Sequence, residues 1–182
     1  MPSLKKDDSK MYLTSGLRFG QADAIERYRR PFKNVEEMDE AMIKNWNKII
    51  HDEDLIFVIG DFSMADEDRT KEIISRLKGV KSIIMGDTDR WGTKWWVQNG
   101  FQGASMNPLR FDQLKVVLSY KPMLSCEDLN FFGRSSGSGR LPNHLCVAAD
   151  AWELKPVRLV QLIREVGTFM NPSERTRKVK WN

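Results

Sequence analysis

The stretch Asp54-Leu55-Ile56-Phe57-Val58-Ile59-Gly60-Asp61-Phe62 constrains the fold more than any other. An apolar run rich in β-branched and aromatic residues stops abruptly at Gly-Asp. The pattern predicts a buried strand in a sheet covered on both faces. Its C-terminal end delivers one carboxylate into a loop, where α/β sheets place their ligands. Gly60 allows a sharp turn or a close approach. Asp61 reads either as a cap for the next helix or as a site residue.

The same alternation continues along the chain. Residues 11–15 form a short candidate strand that runs into Gly16-Leu17-Arg18-Phe19-Gly20. A short helix is expected over 21–28, broken by Pro31. Asn34 and Glu37 form a capping-box-like start to a helix. Met38, Met42, Ile43, Trp46, Ile49 and Ile50 share one face of it, which is core by its period. A second amphipathic helix is predicted over 66–77, and a second buried strand over 80–85 that also ends in a glycine, before Asp87-Thr88-Asp89. Further strands are expected at 114–119, 129–132 and 145–149, and a last helix over 157–166 after Pro156. Strand–helix repeats with glycine loops at the strand ends predict a layered α/β fold with a site on one edge.

Composition sets the outer limits. The 182 residues suit one domain, placed at 11–170, between a mobile tail at 1–10 and a basic tail at 171–182 carrying Arg175, Arg177, Lys178 and Lys180. No apolar run approaches the ~20 residues of a membrane span. The charged start shows no secretory signal, so a cytoplasmic protein with reduced Cys126 and Cys146 is expected. A net charge of +4 permits an acidic partner without demanding one.

Several stretches are similar to the small calcineurin-like metallophosphoesterases, in a short form found in bacteria and phages. They are Arg30-Pro31-Phe32-Lys33-Asn34-Val35-Glu36-Glu37-Met38-Asp39, Asn45-Trp46-Asn47, Gly60-Asp61-Phe62, Trp95-Trp96 and Asp150-Ala151-Trp152-Glu153-Leu154-Lys155-Pro156-Val157. The likeness spans about residues 11–163. It implies a four-layer α/β/β/α sandwich of the metallophosphoesterase type, with two metal ions at the strand ends.

The ligand motifs that the resemblance implies are mostly replaced. Gly16 and Arg18 stand where a metal-binding Asp and His belong. Asp61 is retained, at the position of the bridging carboxylate. Asp87 and Thr88 replace Asn and the His expected to act as acid. Tyr120 stands for a third His, and Arg134 and Ser136 for two more. The chain holds only His51 and His144; position places His51 after the long helix and His144 in a polar turn, both as surface residues. Asp61, Asp87 and Asp89 remain as weak candidates for one loosely held Mg²⁺.

Two cations, Arg18 and Arg134, have entered a site that lost its metals. Guanidinium cannot ligate a metal. It can pair with Asp61 and Asp87, which would otherwise be buried uncompensated. The leading expectation is therefore a catalytically inactive homologue, without cofactor, that binds another protein, with Trp91 as the interface candidate. The likeness to phage sequences suggests a host factor as target. The alternatives are a phosphate, nucleotide or nucleic-acid binder using Arg18, Lys121, Arg134 and Arg140, and a residual Mg²⁺- or Mn²⁺-dependent phosphoesterase.

Overall fold

A computed structural model describes residues 10–134 and 142–170, without the side chains of 168–170. In chain order the elements are β1 (Met11–Thr14), α1 (Ala24–Arg27), α2 (Val35–Ile49), β2 (Leu55–Ile59), α3 (Glu67–Arg76), β3 (Val80–Ile84) and α4 (Thr93–Gln98). There follow β4 (Gly103–Ser105), β5 (Leu109–Phe111), β6 (Val116–Ser119), β7 (Leu129–Phe132), β8 (His144–Cys146), a 3-10 turn (Ala149–Ala151), β9 (Val157–Arg158) and α5 (Leu159–Met170).

The strands form two mixed sheets. The first has the order β4-β3-β2-β1-β9, parallel except for β9. The second has the order β5-β6-β7-β8, with β5 antiparallel and the rest parallel. Alternation along β2 explains its continuous apolar sequence. Ile56 and Val58 enter one hydrophobic cluster with Met38, Met42 and Trp46 of α2, Ile73 of α3 and Trp96 of α4. Ile59 enters a second cluster with Val116, Leu118 and Phe131 of the other sheet and Leu159, Leu162 and Val166 of α5. The first sheet thus packs α2, α3 and α4 on one face, and on the other it shares a core with the second sheet and α5.

Local chemistry sets the helix starts. Asn34 accepts from the Glu37 N–H at 2.8 Å, and the Glu37 carboxylate accepts from the Lys33 N–H at 3.0 Å. Asp66 caps α3 through the Arg69 N–H. At the far end of α3, the buried Lys81 ammonium donates to the carbonyl of the C-cap residue Leu77 at 2.7 Å and to Gly79 O, beyond the helix, at 3.2 Å.

The structure corrects four local expectations. The helix expected over 21–28 is reduced to Ala24–Arg27. The strand expected over 145–149 runs His144–Cys146; Ala148 instead bridges Ser15, and Ala149 opens the 3-10 turn. Helix was expected from Val157, but Val157 pairs with Leu13 and Arg158 with Tyr12, because β1 has a free edge there and a β-branched residue fits it. The sequence pattern passed over β4 and β5, which at three residues each carry no readable alternation. Of the tail placed at 1–10, Lys10 is described, and it pairs with Glu53 at 3.1 Å; the tail at 171–182 lies outside the described residues. No helix among the described residues is long and apolar enough to cross a membrane.

Candidate functional site

The site forms where the chain leaves β1, β2, β3, β6 and β7. The loops after β1 and β2 continue side by side beyond their strands. Gly16 N donates to Gly60 O at 3.0 Å, Arg18 N to Asp61 O at 2.9 Å, and Phe19 N to Phe62 O at 3.0 Å. Ile59 and Phe62 are buried in different clusters, so the chain must cross from one core to the other within two residues. It does so with left-handed backbone at Gly60 (φ +75°) and Asp61 (φ +56°). A side chain at Gly60 would meet the Tyr120 ring at 2.5 Å and Gly86 Cα at 2.9 Å. Gly133 is held closer still: a Cβ there would lie 1.9 Å from Ile59 O.

Asp61 is almost fully buried and both its oxygens are engaged. Oδ1 accepts from Thr88 Oγ1 at 2.7 Å and from the Tyr120 hydroxyl at 2.9 Å. Oδ2 accepts from Arg18 Nη2. The Arg18 and Asp61 side chains are only 12% and 3% exposed. Arg18 also donates to Gln21 Oε1 at 3.3 Å and lies 5.2 Å from the centre of the Tyr28 ring. A second ion pair sits further out. Asp87 meets Arg134 Nη1 at 3.0 Å and Lys121 Nζ at 3.1 Å, with both Arg134 and Asp87 about half exposed. Arg134 also reaches the Tyr120 hydroxyl at 3.4 Å. Burial raises the Tyr120 phenol above its ordinary value, and the Asp61 charge adds to the rise.

Asp89 faces inward. Its carboxylate accepts from the N–H groups of Asp61 (2.9 Å), Phe62 (2.9 Å) and Gly86 (2.7 Å). It therefore ties the loop after β2 to the loop after β3. Burial raises it to about 6, against the three N–H donors, which favour the ionised form.

Sequence reasoning missed Arg30 and Asp150. Arg30 is buried and donates to Asp150 through Nε at 2.8 Å and Nη2 at 3.0 Å, to Leu17 O at 2.8 Å and to Gly16 O at 2.7 Å. It thus ties the loop carrying Arg18 to the 3-10 turn. Both residues stand in stretches that carry the metallophosphoesterase resemblance, and that was the only signal for them. A cleft of about 630 Å³ opens above these groups, lined among others by Arg18, Tyr28, Asp61, Thr88, Arg134 and Asp150. A second cleft of about 470 Å³ is lined by Met106, Pro108, Tyr120, Lys121, Pro122 and Met123.

The chain is 32% identical, over 138 residues, to the uncharacterized protein MJ1445 of Methanocaldococcus jannaschii, a match covering 75% of this chain and 72% of that protein. The chain belongs to the family of that archaeal protein. No family model matches the sequence. The fold is similar to the crystal structure of the protein of unknown function AQ665 from Aquifex aeolicus, with a TM-score of 0.65 and 16% identity over 85% of this chain and 98% of that one. At that identity the likeness concerns the fold alone.

The remaining sequence candidates fall in different places. Trp91 is partly buried: it stacks on Trp95 with ring centres 4.2 Å apart, and the Arg90 guanidinium lies 5.1 Å from its ring centre. His51 is exposed beside Asp54. His144 is not in a turn; it opens β8, with Nδ1 2.8 Å from Asn143 Oδ1 and Nε2 2.8 Å from Met123 O. Ser136 and Arg140 lie outside the described residues.

A dinuclear metal centre needs several convergent carboxylate and imidazole ligands. Among the described residues, no group of three or more His, Cys, Asp or Glu side chains could hold a metal ion. Asp61, Asp87 and Asp89 each turn to different partners and form no common cation site. These residues do not fit a two-metal centre.

Proposed function

We propose that this protein is a metallophosphoesterase-like scaffold, with the four-layer α/β/β/α arrangement of that family, that works by binding and without hydrolysis. The observation that carries this reading is the occupancy of Asp61. The carboxylate that the resemblance makes a bridging metal ligand has both oxygens engaged by Arg18, Thr88 and Tyr120. Thr88 also stands where the resemblance implies the histidine acid, and a threonine hydroxyl is a poor proton donor to a leaving group at neutral pH. Membership of the family of MJ1445 and likeness of fold leave function to be argued from the site itself.

The partner in this reading is another protein. The exposed apolar side chains support it: Met106, 75% exposed, lines the smaller cleft with Pro108, Pro122 and Met123, and Leu124, next in the chain after Met123, is 64% exposed. Such surface is uncommon away from interaction sites when it is contiguous. A second reading, an anion binder, is favoured by Arg27 and Arg134. Both line the larger cleft and remain more than half or about half exposed. Arg18 serves it less well, since its guanidinium is nearly buried against Asp61, and Lys121 lines the smaller cleft instead.

The test is turnover of a generic phosphodiester with added Mg²⁺ or Mn²⁺. No turnover above the uncatalysed rate is expected. Turnover abolished by Asp61→Ala would overturn the reading in favour of a residual phosphoesterase. Titration with inorganic phosphate and a labelled nucleotide separates the two binding modes; saturable binding lost in Arg27→Ala, Arg134→Ala selects the anion binder.

A further inference from the structure

A carboxylate this deeply buried requires a compensating charge, and the fold supplies one from its own chain. We propose that Arg18 is the resident cation of the site: its guanidinium compensates Asp61 permanently, so the loops after β1 and β2 are locked without any divalent metal. This role rests on the proposed function only in naming what the guanidinium replaces.

Geometry supports it at three levels. Arg18 is held from its far side by Gln21 and lies against Tyr28, so the guanidinium is aimed at Asp61. The two residues also meet through the main chain, Arg18 N to Asp61 O at 2.9 Å, and both adopt a left-handed backbone at φ +56°. Non-glycine residues persist there only when their surroundings over-determine them. The outer pair, Arg134 and Lys121 with Asp87, is half exposed and screened by water, so it cannot take over the locking role.

The experiment is thermal unfolding of the full chain in EDTA and in millimolar MnCl₂. The native protein should unfold at the same temperature in both. Arg18→Ala leaves Asp61 buried and uncompensated, so its Tm in EDTA should fall by about 10 °C. It should recover part of that loss in MnCl₂, where the vacated position beside an oxygen ligand admits a hard cation. Arg18→Ala, Asp61→Asn should show no recovery. If Arg18→Ala does not fold, Arg18→Ala, Asp61→Asn decides: folding regained once the buried charge is removed supports the proposal, and a double variant that fails equally overturns it. Stabilisation of the native protein by Mn²⁺ also overturns it. Without phosphodiester turnover that result sinks only this inference; with turnover it sinks the proposed function as well.

Discussion

Arg18 and Asp61 meet twice, once through their backbones and once through their side chains, and both sit in the left-handed region of conformational space. The pair closes the ends of the two central strands of the first sheet. Its energetic role is best tested by a double-mutant cycle. Asp61→Leu should cost about 3–5 kcal/mol, because it strands a guanidinium that is nearly buried. Arg18→Leu, Asp61→Leu should cost clearly less than either single change, since an apolar pair leaves no buried charge. Urea unfolding of the single and double variants measures both.

Gly60 and Gly133 should resist any side chain. Gly60→Ala combines a left-handed backbone with a contact at 2.5 Å from the Tyr120 ring and 2.9 Å from Gly86 Cα. A loss of about 2 kcal/mol or more is expected. Gly133→Ala places its Cβ 1.9 Å from the carbonyl of Ile59, a main-chain atom that cannot swing aside. It should be the more damaging of the two. Soluble yield and urea midpoints rank them.

Arg30 should tolerate no conservative replacement. Its guanidinium serves Asp150 twice and the carbonyls of Gly16 and Leu17 from one buried position. A lysine offers neither the fork nor the reach to all three groups. Arg30→Lys is expected to lose about 3 kcal/mol. The loop carrying Arg18 should then exchange its amide protons faster than β6, which hydrogen-exchange mass spectrometry can localise.

Asp89 should make stability depend on pH. Burial raises its carboxyl to about 6 in the folded protein, well above the ordinary aspartate value, so the folded state binds the proton more tightly than the unfolded chain. Its contribution is greatest below the unfolded value and is lost as pH rises through about 6. The linked change amounts to about 3 kcal/mol. In Asp89→Asn this component disappears. The stability difference between native protein and variant, measured in urea at about pH 4.5 and about pH 7.5, should therefore shift in favour of the native protein at the lower pH.

Much of the central fold is legible from residue order alone. The continuous apolar run at β2 declares a strand buried on both faces, and Asn34 with Glu37 marks the start of α2 by capping chemistry. The guanidinium–carboxylate pairs are legible in part. A chain that keeps Asp61 and Asp87 in strand-end loops, and places Arg18 and Arg134 in others, holds charges that have reason to meet. What pattern reading lost were the short edge elements. Strands of two or three residues, such as β4, β5 and β9, take their form from a neighbour's open hydrogen bonds and not from their own sequence.

The sequence alone determined the alternation of strands and helices, the glycine-ended loops and the scarcity of imidazole, because these are properties of residue type and local spacing. The tertiary structure decided which of the three aspartates in these loops faces a cation in the core, which faces one at the surface, and which turns inward to backbone N–H groups. It also joined Arg30 to Asp150 across 120 positions of chain. Those assignments depend on which loops packing brings together, and burial decides which charge needs a partner most. At Asp61, packing on both faces of one sheet fixed the backbone, and Arg18 supplied the charge.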